Sequence, residues 1–268
     1  MTEFLFDTHC HFDTLEDARV QIPRAYEAGV RALNVIGCDV ETTRRALDVV
    51  KMVQDERDAL GVVDLDIMAT VGLHPHEAKF YKEQNRTLVK LLEDNREIVC
   101  GIGEAGFDFF YNHSGEKEQS IAFQFQLELA KEHDLALVIH SRDAWPQTFE
   151  MLDQNGWPEK TVLHCFTGGP EEARRCVEAG AVISISGIST FKNADDIRGA
   201  ISAVPSANIM SETDAPWLAP VPYRGKLNEP AYVENIVAQI CKTRFESHNE
   251  SEDDVKKFLF TNAKRVFR

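Results

Sequence analysis

The stretch FLFDTHCHFD (residues 4–13) decides the reading of the fold. Its first half is short, aromatic and apolar, and no helix-capping residue precedes it, so it reads as a β-strand. Alternate side chains of a strand share a face, which puts His9 and His11 together and turns Cys10 away. On a helix the same two histidines would diverge by about 200° and could not grip one ion. An open doubly wound sheet would follow its first strand with a Gly-rich phosphate loop; this strand ends in two histidines.

Outward from that strand the same pattern recurs. Apolar runs EFLFDTH, VRALNVIG, DIMATVG, EIVCGIGE, LALVIH, TVLHCF, AVISIS and NIMSETD alternate with charged amphipathic stretches. Most runs are apolar on both faces, as parallel strands are when buried between a barrel interior and covering helices. VETTRRALDVVKMVQDERD and GPEEARRCVEAG read as helices, the second bounded by Gly-Pro and Gly180. EPAYVENIVAQICKTR carries Pro230 in its first turn and a stripe of Val233, Ile236, Val237, Ile240 and Cys241. The acidic run 246–254 is expected to be a loop and helix cap, followed by a helix striped by Val255, Phe258, Leu259 and Val266. Eight such units in 268 residues predict an α/β fold, a single (β/α)8 TIM barrel spanning residues 1–268.

Composition narrows the function. A formal charge of −15 excludes a broad basic nucleic-acid track and disfavours anionic lipid, without excluding a pocket made locally positive by metal ions. No apolar run spans a membrane, and the N-terminus lacks the basic and apolar regions of a signal peptide. Six cysteines without a C-x-x-C pair read as reduced thiols of a cytoplasmic protein.

Barrel chemistry sits at the C-terminal ends of strands. Those ends carry His9 and His11, His74, Glu104, His140, His164 and Asp214. A single histidine there usually satisfies a loop, but, His74 aside, burial alone does not explain four histidines and two acids ending five apolar strands. Imidazoles with carboxylates suit Zn²⁺, Mn²⁺ or Mg²⁺. Six ligands exceed one open tetrahedral site and suit two ions about 3.5–4 Å apart, with Glu104 as the natural bridge. His76 is discounted because Pro75 breaks the strand before it; His113, His133 and His248 read as solvated. Glu212 shares the face of Asp214 and either orients a ligand or pairs with a base inside the barrel.

DTHCHFD, VGLHPHEA, GEAGFDFF, IHSRDA, LHCFTGG, SISGISTFKN, SETDAPWLAP and PVPYRGKLNEP, in order from residue 7 to about residue 230, resemble the signature blocks of the TatD family of metal-dependent deoxyribonucleases. HCF and ETDAPWLAP are the specific ones; the initial His-x-His is shared by the whole amidohydrolase superfamily. The resemblance implies His9, His11, Glu104 and Asp214 around one ion, and Glu104, His140 and His164 around the other. It also implies a Mg²⁺-dependent or similar phosphodiesterase, often a 3′–5′ exonuclease, with Asp214 accepting the proton of the attacking water. Ala215 and Trp217 replace the serine and tyrosine of many relatives, and Phe107 and Phe109 the common leucine and tyrosine, all four expected on the pocket wall.

Arg224 and Lys226 are the expected phosphate-holding cations, with His74 beside them, and Arg142 either joins them or pairs with Asp143 or another acid. Metals and so few cations favour DNA ends or short single-stranded oligonucleotides over long duplex. No obligate protein partner is implied. Two rivals keep the same barrel: a C–N or ester hydrolase, for example one deacylating aminoacyl-tRNA, and a non-catalytic binding protein, which should have lost ligands.

Overall fold

The computed structural model describes residues 4–268. Eight strands, β1 (Leu5–Cys10), β2 (Val30–Val35), β3 (Asp66–Val71), β4 (Val99–Asp108), β5 (Ala136–Arg142), β6 (Thr161–Leu163), β7 (Val182–Ile185) and β8 (Ile209–Ser211), pair in parallel with their chain neighbours. Each expected apolar run overlaps one of them, and β1, β4 and β5 continue past the expected end. The ends of the sheet meet through a parallel bridge of Cys10 with Ala215 and two backbone bonds, Asp214 N to His9 O (2.9 Å) and His11 N to Ala215 O (2.8 Å). Asp7 reinforces that seam, accepting from Thr213 N at 2.8 Å and Thr213 Oγ1 at 2.6 Å. Buried completely, the Asp7 carboxyl is pushed up to about 8.

The helices are α1 (Leu15–Glu27), α2 (Val40–Asp55), α3 (Arg57–Leu60), α4 (Tyr81–Asp94), α5 (Glu116–Glu132), α6 (Trp145–Asn155), α7 (Pro170–Glu178), α8 (Asp195–Ala203), α9 (Val233–His248) and α10 (Glu252–Phe267). One apolar shell lies between strands and helices; a second fills the barrel, where Phe6, Cys100, Val138, Val162, Val182 and Met210 meet Ala263, Val266 and Phe267 of α10. The C-terminal helix therefore floors the barrel, and chemistry is left to the opposite mouth.

Three local expectations shift. Pro230 lies in a 3₁₀ turn ahead of α9 rather than in its first turn, since its missing N–H is harmless there. Of the acidic run only Asn249–Ser251 is loop: α9 continues through His248 until Asn249 turns left-handed, and Ser251 caps α10 by accepting from Asp254 N. Phe258, at the edge of the α10 stripe, is 42% exposed, while Val255, Leu259 and Val266 are buried.

Two irregularities matter for function. The β1–β2 register shifts between Asp7 and Cys10, and the β4–β5 register shifts between Ile102 and Ala105. In β1 the shift lets Phe6 and Thr8 face the interior, with Thr8 Oγ1 3.1 Å from Ser184 Oγ across the barrel, while His9 also turns inward and Cys10 joins the outer shell. In β4 it releases Glu104 from the ladder and lets the strand run four residues past its expected end, to Asp108.

Candidate metal centre

Glu104 is the hub of the mouth. Its Oε1 lies 2.7 Å from His164 Nε2, 2.8 Å from His140 Nδ1 and 3.4 Å from His74 Nε2. Its Oε2 faces the other way, 3.5 Å from His9 Nε2. On that side His9 Nε2 and His11 Nε2 are 3.1 Å apart, and Asp214 Oδ1 is 3.6 Å from His11 Nε2 and 3.8 Å from His9 Nε2. All six ligands named from the sequence thus converge, although residues 9 and 214 lie at opposite ends of the chain. His74 stands among them, its ring 4.7 Å from that of His140.

The electrostatics are those of an anion ringed by imidazoles. Burial works against the Glu104 charge, yet His164 and His74 hold its carboxyl well below the usual range. Burial likewise opposes Asp214, but His11 and His9 keep it low, so both acids are ionised. Burial pushes His9 down and His74 down to about 4, leaving both neutral. His164 is raised despite its burial, because Glu104 and Glu212 flank it. His140 is raised as well, against its burial, by Asp108 and Glu104. Neutral His9 and His74 with the ionised carboxylates are donors ready for a divalent ion, and binding one would displace the protons that these anions hold on His140 and His164. His9 Nδ1 and Glu212 Oε2 are buried without hydrogen-bond partners, a polarity that protein groups alone leave unsatisfied. The residues fit a bound dication.

An outer tier sets the rings. Glu212 Oε1 accepts from Cys165 N at 2.5 Å and from His164 Nδ1 at 3.2 Å, so His164 presents Nε2 to Glu104; the one contact serves both expected roles, pairing Glu212 with a base and orienting its ring. Asp108 does the same for His140. Its Oδ2 accepts from His140 Nε2 at 3.1 Å and from His76 Nε2 at 3.0 Å, and its Oδ1 from the backbone N–H of Phe110 and Tyr111. Sequence reasoning passed over Asp108 because it ended the strand at Glu104; the signal was there, since 104, 106 and 108 share a face by period two. Cys38 was set aside with the other thiols, yet its Sγ lies 3.6 Å from Glu104 Oε2 and 3.9 Å from His11 Nδ1. A cysteine ending the second apolar run was its mark.

We expect Asp108→Asn to weaken divalent-ion binding about 10–100-fold while leaving the fold intact, because it frees the His140 ring without removing a ligand. Calorimetric titration with Mn²⁺ checks this, and unchanged affinity would remove Asp108 from the tier.

The cations are less central. Arg142 lies over the rings of Phe110 (4.2 Å) and Tyr111 (4.8 Å), with no carboxylate partner among the described residues. Arg224 lies over Phe191 at 4.2 Å, exposed on the loop after β8, and touches none of the clustered ligands. His76 joins Asp108 rather than His74's partners, and His113 packs parallel to Tyr111 with centroids 5.8 Å apart. Of the four substituted positions only Trp217 reaches the mouth. Phe107 packs on Phe123 in the outer shell, Phe109 beside it, and Ala215 closes the barrel seam, because their backbone positions face away from the interior.

A family model described as TatD related DNase matches residues 6–268. The chain belongs to the TatD family. It is a metal-dependent hydrolase of ester bonds. It is 34% identical over 268 residues to an uncharacterized metal-dependent hydrolase, YabD, of Bacillus subtilis, covering 98% of this chain and 99% of that one. It is 31% identical over 254 residues to the 3′-5′ ssDNA/RNA exonuclease TatD of Erwinia tasmaniensis, covering 92% of each chain. The crystal structure of the TatD homolog YjjV from Escherichia coli superimposes with a TM-score of 0.88 at 29% identity, over 100% of this chain and 99% of that one. The blocks that resemble the TatD pattern supply all six side chains that cluster around Glu104 and Asp214.

Proposed function

We propose that this TatD-family chain hydrolyses phosphodiester bonds at the ends of single-stranded DNA, in the 3′–5′ direction, with two divalent ions. The observation that carries this reading is the division of Glu104: Oε1 faces His140 and His164, while Oε2 faces His9, His11 and Asp214. His9, His11, Glu104 and Asp214 would hold one ion, and Glu104, His140 and His164 the other. Mg²⁺ is the working ion by family habit, and four imidazoles accommodate Mn²⁺ or Zn²⁺ as well. When bound, the ions supply an acidified water and neutralise charge on the phosphate. The relative named as a 3′-5′ ssDNA/RNA exonuclease supports the substrate class and polarity.

The chain's own residues do the rest. Asp214, kept ionised by His11 and His9, accepts the attacking water's proton. Neutral His74 offers the phosphate or leaving oxygen a hydrogen bond. Arg142, splayed on its two aromatic faces, and Arg224 in the loop beyond steer the anionic strand into an otherwise acidic protein. No helix among the described residues is long and apolar enough to cross a membrane, and all six thiols are free, in keeping with a cytoplasmic setting.

End-labelled single strands, duplex DNA and an aminoacyl ester, assayed with and without Mg²⁺, test the proposal. We expect mononucleotides released from the 3′ end of single strands, abolition by chelator and recovery on Mg²⁺ addition. Turnover that survives thorough chelation, or hydrolysis of the aminoacyl ester alone, would overturn it.

A further inference from the structure

Trp217 is an exposed tryptophan, 54% accessible, whose ring meets that of His11 in the mouth cluster edge-to-face, with centroids 5.0 Å apart and planes at 68°. Beneath it runs a mostly apolar cavity of about 110 Å³, lined by Phe12, Cys38, Thr42, Arg45 and Ala46 and opening beside His11. Trp217 is fixed from behind. Its backbone N–H donates to Asp214 O at 2.9 Å, and its carbonyl accepts from Asn228 Nδ2 at 2.6 Å. A large aromatic surface left to water, rigidly mounted over an apolar slot and adjoining the reaction centre, is arranged for a flat ligand.

We propose that this slot takes one unpaired nucleobase of the bound strand, stacked on Trp217, while the adjoining phosphate sits at the metal cluster; the inference rests on the nucleic-acid reading of that site. The occupant follows from the surroundings. The walls offer π and aliphatic surface to a base face, and Asp13 and Arg45, the latter also 3.0 Å from Glu41, are the charged groups among them that a base edge would meet. Arg142 supplies positive charge on the far side of the cluster, over Phe110 and Tyr111. A base can enter only when unstacked from its neighbours and unpaired, so the slot selects single-stranded ends by geometry, in a protein without the basic track that would grip duplex. Stacking tolerates every base, so the slot supplies affinity and strandedness rather than sequence preference.

The test couples protein and substrate. Trp217→Ala is expected to raise KM for a thymidine oligonucleotide about ten-fold or more, the scale of a lost base–aromatic stack, with a smaller change in kcat. Trp217→Phe, which keeps a ring, is expected to recover most of that loss. An oligonucleotide with an abasic sugar at the terminal or penultimate position should show the same rise with the wild-type protein, and the two losses should not add. In parallel, binding of hexathymidylate with Ca²⁺ replacing Mg²⁺ should quench tryptophan emission, and Trp217→Phe should bind without that quench. Losses that add fully, or emission unmoved by saturating oligonucleotide, would overturn the slot. A wild-type protein that cleaves no DNA would instead refute the hydrolytic reading, and the quench would then decide the slot alone.

Discussion

Glu104→Gln is expected to lower kcat by about a thousand-fold or more if, as proposed, its carboxylate would be shared between two divalent ions, whose transition-state stabilisation is worth several kcal/mol. Glutamine preserves volume and one oxygen, so the change is in charge. Around Glu104 stand four imidazole nitrogens within 3.5 Å, two of them on rings held neutral by burial. No other described acid reaches both halves of the cluster. The number of bound ions should therefore fall in the same variant, measured by equilibrium dialysis with Mn²⁺. A second readout needs no metal. In the wild-type protein Glu104 and Glu212 raise His164 against the cost of its burial. Removing one of the two anions should bring the His164 titration to lower pH, visible in imidazole NMR. Turnover within about ten-fold of wild type, with both ions retained, would end the claim that this carboxylate organises the site.

Gly106→Ala should be nearly as damaging by another route. Gly106 pairs with His140 across the β4–β5 ladder at φ +133°, a conformation reserved for glycine, and a Cβ there would come 2.1 Å from His140 O. The obstacle is backbone, which cannot rotate aside, so either β4 or the His140 segment must move. Strain and overpacking together are expected to cost about 3–5 kcal/mol, lowering Tm by about 10 °C in a protein of this size. The displaced His140 should weaken ion binding at the same time. Gly225→Ala is the control: its φ is +87°, but nothing lies within 4 Å of its added Cβ, so only the local left-handed penalty of about 1 kcal/mol applies. Thermal unfolding of the two metal-free variants separates these cases, and equal losses would contradict the steric account.

The same pair of strands shows where a one-dimensional reading stops. Period-two alternation set His9 and His11 on one side and Cys10 on the other, and the structure reaches that arrangement through a register shift between Asp7 and Cys10 that turns both Thr8 and His9 inward. The sequence pattern ended β4 at Glu104 because an apolar run gives way to polar residues there. The structure carries the strand on to Asp108, with Glu104 at a register shift, and Asp108 then holds two histidines. Phe107 and Phe109 went to the pocket wall on the strength of neighbouring motif residues, whereas the pleat sends Phe107 outward onto Phe123. Trp217 lies on a loop, where no periodicity applies, and only the backbone bonds to Asp214 and Asn228 fix its ring over His11.

By itself the sequence determined the number and order of the strands, their parallel closure and the six side chains that cluster at the mouth, because burial on both faces and polar strand ends leave marks in composition and spacing. The tertiary structure alone decided which atom faces which: that Glu104 divides its oxygens between two sets of imidazoles, that Asp108 and Cys38 stand beside them, and that Trp217 lines an apolar cavity beside His11. Those relations depend on strand register and on contacts between residues up to about two hundred positions apart, and a bulge of one residue, invisible to any periodic pattern, is enough to redirect every side chain that follows it.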